Sequence, residues 1–134
     1  MNVKQEVILM FRIDDEKRRA METICFQMGM TAVEVAAEEE NAPLGLLAGA
    51  EGWRNPLLME NTREVQPLTE EMLVIAGLSE ESLEVFLAKL RQYGATVSLK
   101  AVLTQQNAVW NAGQLQGELK RERAEFFRKS EKRE

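Results

Sequence analysis

The sequence predicts an α+β chain built from two βαβ units, and three observations predict it. Two continuously apolar runs, Val7 to Phe11 and Met72 to Leu78, begin sixty-five residues apart. Each is followed by a stretch with apolar residues at helical spacing that closes on a glycine, Gly29 in the first and Gly94 in the second. Each glycine is followed by an alternating segment, Thr31 to Ala37 and Val97 to Leu103. A β-α-β-β-α-β order is the ferredoxin-like split arrangement, an antiparallel four-stranded sheet with the first strand of each unit inside and the second at an edge. To this the chain adds a long insertion between the units and an extra C-terminal helix. The expected organisation is a single domain over 1–128, with 42–68 as an ordered insertion and 129–134 as a frayed, charged tail.

The first strand is read from Glu6 to Ile13, too apolar to have a wet face. Asp14 is placed to cap the next helix, and Asp15 and Glu16 fall in its first turn, where the helix dipole favours negative charge. Ala20, Met21, Ile24, Cys25 and Met28 form its apolar stripe, and Gly29 suits a left-handed C-terminal cap. Thr31 to Ala37 puts Val33 and Val35 on one face and Glu34 on the other, the pattern of a half-exposed strand. Periodicity then fades from Ala42 to Leu68. All three prolines lie there with Gly45, Gly49 and Gly52, yet so do Leu44, Leu46, Leu47, Trp53, Leu57, Leu58 and Met59. So many large apolar groups do not belong to a flexible linker. A helical turn is expected at Leu44–Ala50.

In the second unit Ser79 caps, Glu80 and Glu81 follow, and Leu83, Phe86, Leu87 and Leu90 make an i, i+3, i+4, i+7 stripe. Beyond the strand of Val97 to Leu103, a polar turn from Thr104 to Asn107 leads to Trp110. Asn111 caps a last helix with Gln114 at the third position, and Ala112, Leu115, Leu119 and Phe126 are its stripe. A shift of 65 superposes Asp14 on Ser79, Gln27 on Gln92 and Gly29 on Gly94. It also predicts opposite parity for the two outgoing strands, whereas the inward residues are odd-numbered in both. A bulge or a turn of different length is required. Right-handed crossovers place both unit helices on one face of the sheet. The central strands are apolar on both sides, so the second face also needs a cover: the last helix, the insertion or a second copy of the chain.

Composition narrows the chemistry. The 134 residues are 45% hydrophobic, with a net charge of −5. Residues 1–117 hold 10 basic and 17 acidic side chains, and 118–134 hold 7 and 5, so the acidic body repels phosphate backbones and no nucleic-acid partner is expected. The longest apolar run is far short of the roughly 20 residues that span a bilayer, and the polar start leads directly into a strand, so neither a membrane partner nor a signal peptide is expected. A single cysteine excludes an internal disulfide and suits a cytoplasmic location.

There is no histidine, which removes the commonest general base and the usual zinc sets. No metal and no cofactor are expected. Cys25 lies on an apolar helical stripe and reads as packing rather than nucleophile. Glu38, Glu39 and Glu40 lack the glycine-punctuated spacing of a cation loop and read as a solvated strand end. Gly45 and Gly49 are not followed by Gly-Lys-Ser/Thr and are no phosphate cradle. The trio with most to offer is Lys100, Asn107 and Trp110. Two readings stand: a ligand site against the Gly45 to Gly49 segment, with Lys100 meeting an anion, or an edge lysine, a turn asparagine and a tryptophan that plugs the core.

The motifs KAVLT, Asn107 and Trp110, followed by a leucine-rich charged helix, resemble the C-terminal signature of domain of unknown function 3783. Pro43-Leu-Gly-Leu-Leu-Ala-Gly49 is similar to the N-terminal segment of the same family. Its members tend to carry proline after the threonine, where this chain has Gln105. The resemblance implies an uncharacterised bacterial protein and brings no substrate, cofactor or catalytic residue. The residues themselves predict a soluble, non-catalytic, self-associating interaction module, with a homodimer as the expected state. The alternative is a small-molecule-binding regulatory domain with its ligand near Lys100 and Trp110, contacted also by Asn107, Gly45 and Gly49. Third comes an enzyme that works without histidine.

Overall fold

The computed structural model describes residues 6–49 and 67–132. Most of the expected insertion, 50–66, therefore lies outside the described residues, as do 1–5 and 133–134. Four strands form one sheet: β1 (Val7–Phe11), β2 (Thr31–Glu34), β3 (Met72–Ala76) and β4 (Leu99–Val102). Their spatial order is β2-β1-β3-β4. Helix α1 (Asp15–Met28) joins β1 to β2, and α3 (Glu80–Gln92) joins β3 to β4. A short α2 (Leu44–Leu47) follows β2, within the turn expected there, and α4 (Ala112–Lys132) ends the described chain.

The mixed α+β chain and the four-stranded sheet are as expected, and the apolar strands β1 and β3 are central. The pairing is not. β1 runs parallel to β2, with Val7 opposite Thr31, and β3 runs parallel to β4, with Met72 opposite Leu99. Only the central pair is antiparallel, from Val7 opposite Ala76 to Phe11 opposite Met72. The units are thus unsplit, and the expected ferredoxin-like, all-antiparallel order is corrected to two direct βαβ units placed back to back. Sequence pattern cannot separate these arrangements, because both put the continuous strands inside and the alternating strands outside. The deciding link is local: only Gly29 and Met30 stand between α1 and β2, and the Thr31 N–H donates to the Glu6 carbonyl at 2.9 Å.

Both units use the same end signals. The Lys17 N–H donates to Asp14 Oδ1 at 2.9 Å, and the Ser82 N–H to Ser79 Oγ at 3.1 Å. Gly29 and Gly94 adopt φ of 71° and 65°. After them the Met30 N–H reaches the Cys25 carbonyl at 2.8 Å and the Ala95 N–H the Leu90 carbonyl at 2.9 Å, the six-to-one bond of a Schellman cap. The parity conflict is resolved after this cap. Thr31 would map onto Thr96 under the shift of 65, but the residue in the equivalent strand position is Leu99. Three extra residues, with a bend at Ser98, restore the match of Val33 to Ala101, which pack on the same face. Val97, expected to share a face with Leu99, instead packs with the α1 and α3 side.

The sheet is the middle of three layers. On one face Ile8, Met10, Leu73 and Ile75 meet Met21 and Ile24 of α1 and Phe86 and Leu90 of α3. On the other, Leu9, Phe11, Met72 and Val74 meet Leu44 of α2 and Ala112 and Leu115 of α4. The second face is therefore covered by the last helix together with the start of the expected insertion.

Candidate functional site

The functional trio lies where β4 leaves the sheet and turns into α4. Asn107 folds this turn. Its Oδ1 accepts from the Thr104 N–H at 2.8 Å, its Nδ2 donates to the Val102 carbonyl at 3.1 Å, and its own N–H donates to Thr104 Oγ1 at 3.1 Å. Asn107 is buried, and these bonds occupy it. A 3-10 turn, Asn107–Val109, then delivers Trp110, half-buried against Leu115 and its neighbours. The Trp110 carbonyl accepts the Leu44 N–H at 2.9 Å, so the start of the Pro43 to Gly49 segment is bonded to the turn. Gly45 is buried in α2, and Gly49 leaves it at φ 71°.

Asn111 closes the arrangement with a reciprocal cap. The Gln114 N–H donates to Asn111 Oδ1 at 2.9 Å, and the Asn111 N–H to Gln114 Oε1 at 3.0 Å. The Asn111 Nδ2 donates to Asn41 Oδ1 at 2.9 Å, which ties the helix start to the loop before α2.

Lys100 does not join this group. It stands opposite Leu73, whose side chain belongs to the α1 and α3 face, and its ammonium donates to the Val97 carbonyl at 2.5 Å. The structure thus brings together Asn107, Trp110 and the Gly45 to Gly49 segment, and leaves Lys100 as an edge lysine.

Between the turn and α4 lies a groove of about 190 Å³, lined by Ala101, Trp110, Leu115 and Leu119 together with Thr104, Gln106 and Asn107. Its rim carries Glu118 and Glu122. An anion, the ligand imagined for Lys100, would meet two carboxylates here. The volume is below the roughly 300–1,000 Å³ of small-molecule pockets and suits one large side chain.

A second polar cluster was not legible in the sequence. The backbone before β3 is clamped by α4: the Thr69 N–H donates to Gln116 Oε1 at 2.8 Å, and Gln116 Nε2 to the Glu70 carbonyl at 2.9 Å. The Arg123 guanidinium grips the Glu70 carboxylate at 2.7 and 3.0 Å, which holds that carboxyl below its usual range. On the other side Lys17 Nζ lies 2.8 Å from Glu71. Glu40, read as part of a solvated strand end, instead accepts two bonds from Arg12 at 2.7 and 2.9 Å. These partners lie between 28 and 54 residues apart, with no local signal to pair them. Cys25 is buried, and burial pushes its thiol up to about 11. Among the described residues no group of carboxylates or thiols is placed to hold a metal ion, and no helix is long and apolar enough to cross a membrane.

Fold and site together define a three-layer chain of paired βαβ units, with a side-chain-sized groove where the second unit meets its helix. Residues 71–126 match the family model described as domain of unknown function DUF3783. The match spans the second unit and α4 as far as Phe126, including the Lys100 to Trp110 motif, while the Pro43 to Gly49 stretch lies outside the matched range. No curated protein and no solved structure matches the chain.

Proposed function

We propose that the chain is a non-catalytic protein-interaction module that self-associates, in a bacterial cytoplasm. The observation that carries this reading is the outer half of α4. The stripe of Ala112, Leu115 and Leu119 packs on the sheet, but the same stripe continues to Phe126, which is 66% exposed, beside Phe127 at 59%. The two rings stack edge to face with centroids 5.9 Å apart. Large aromatic groups held in water on a charged helix are the usual mark of a contact surface. A small-molecule site near Lys100 and Trp110 has less support, because Lys100 is turned away and the groove is small. Static light scattering on the full chain tests the reading. A mass of twice 15.2 kDa at micromolar concentration, lowered to 15.2 kDa by Phe126→Ser with Phe127→Ser, is expected. A wild-type chain that stays at 15.2 kDa up to hundreds of micromolar would end it.

A further inference from the structure

We propose that the groove at Trp110 receives the end of α4 from a second copy of this chain, with Phe126 against the apolar lining and Lys129 against Glu118 and Glu122. This rests on the self-association reading and names its contact. Both halves of the contact are present in one chain. The groove is of a size for one aromatic ring and is lined by apolar Ala101, Trp110, Leu115 and Leu119, by polar Thr104, Gln106 and Asn107, and by two carboxylates. Glu118 is bonded to the exposed Arg121, and Glu122 makes no ion pair among the described residues. Phe126 follows Leu119 by seven residues, two turns on the same helical face, and Lys129 follows Glu122 by seven on the flank that carries the rim. The exposed end of α4 thus repeats the geometry of the groove with apolar and basic groups in place of apolar and acidic ones. Lys129 also makes no ion pair among the described residues.

A copy cannot serve itself. Phe126 lies about 10 Å further along a continuous helix than Leu119, at 1.5 Å per residue, so it cannot fold back onto its own groove. Each copy has one groove and one helix end, so two copies satisfy each other reciprocally, as a two-fold interface requires. One aromatic ring per side buries about 150–250 Å², which with the flanking groups is a small interface, so micromolar affinity is expected.

A charge exchange between full-length chains tests the contact. One variant carries Glu118→Lys with Glu122→Lys, and the other carries Lys129→Glu. All three positions are exposed or partly exposed, so circular dichroism of each variant should match the wild type. Each variant alone should dimerise about tenfold or more weakly by light scattering, because like charges then face each other. An equimolar mixture should regain the dimer mass, since the reversed rim of one then meets the reversed end of the other. Variants that dimerise as well as the wild type, or a mixture that stays monomeric, would overturn this contact and leave self-association standing. A wild-type chain that never dimerises would overturn both.

Discussion

Among the described residues three polar side chains sit deep in the apolar core: Asn107, Asn111 and Gln116 are each no more than 9% exposed. Each has its bonds made, which is the condition for burying an amide. Asn111 combines a helix cap with a tether to Asn41. Asn111→Ala should therefore cost about 1–3 kcal/mol, a lost cap plus unsatisfied partners. A urea midpoint lowered without a change in slope would show it, and Asn111→Asp, which keeps the capping oxygen, should lose less. The capping box was legible because its two members are three residues apart. Gln116 was not, because the backbone it serves lies 46 residues away, just before β3. Charge follows the same division. Asp14 is held below the usual carboxylate range chiefly by the Lys17 N–H, and Glu70 chiefly by its bonds to Arg123. A depressed carboxyl stabilises the fold above its unfolded value, and that contribution is lost as pH falls through its folded one. Stability should thus decline on acidification below about pH 4–5, and Glu70→Gln should flatten the decline in an acid titration followed by circular dichroism. Cys25 works in the opposite sense. Its thiol, raised to about 11, stays protonated at neutral pH, so alkylation should be slow in the native chain and become fast on unfolding.

Elements are punctuated by the same few residues in both units, and this is why the sequence announced them so clearly. Gly29 and Gly94 are left-handed caps, and a Cβ built at either meets nothing within 4 Å. Only the backbone conformation then opposes a side chain. Gly29→Ala and Gly94→Ala should each cost about 1 kcal/mol, with no change in fold, because the penalty is the left-handed strain alone. Equal costs at the two positions, read from thermal midpoints, would support treating the units as equivalents. A loss of several kcal/mol at one would point to packing that the open space denies. The repeat was legible through these caps, yet the register of β4 was not. The three extra residues between Gly94 and Leu99 carry no motif of their own, and their effect appears only in the pairing with β3. Arg12, at φ 58°, was equally hidden. A non-glycine residue in that region is uncommon, and here its guanidinium is held by Glu40.

At the scale of the whole molecule, the difference between the expected and the observed architecture has an energetic consequence. A two-layer ferredoxin-like sheet has one covered face, so along β3 one parity would be costly to change and the other tolerant. Here both are closed: Leu73 and Val74 are each fully buried, on opposite faces and beneath different helices. The sequence carried this in the unbroken apolar run of β3, which demanded a second cover without naming it. Leu73→Asn removes an apolar side chain from the layer under α1 and α3, and Val74→Asn does the same under α2 and α4. Each loses about 1.5–3 kcal/mol of apolar burial and adds about 1–3 kcal/mol for an amide without partners. Each should therefore destabilise by roughly 3–5 kcal/mol, a large part of the 5–15 kcal/mol typical of a domain. Urea unfolding of both variants decides between the architectures. Comparable losses are required by three layers, whereas a tolerated Val74→Asn beside a damaging Leu73→Asn would mean that α4 rests only lightly on the sheet.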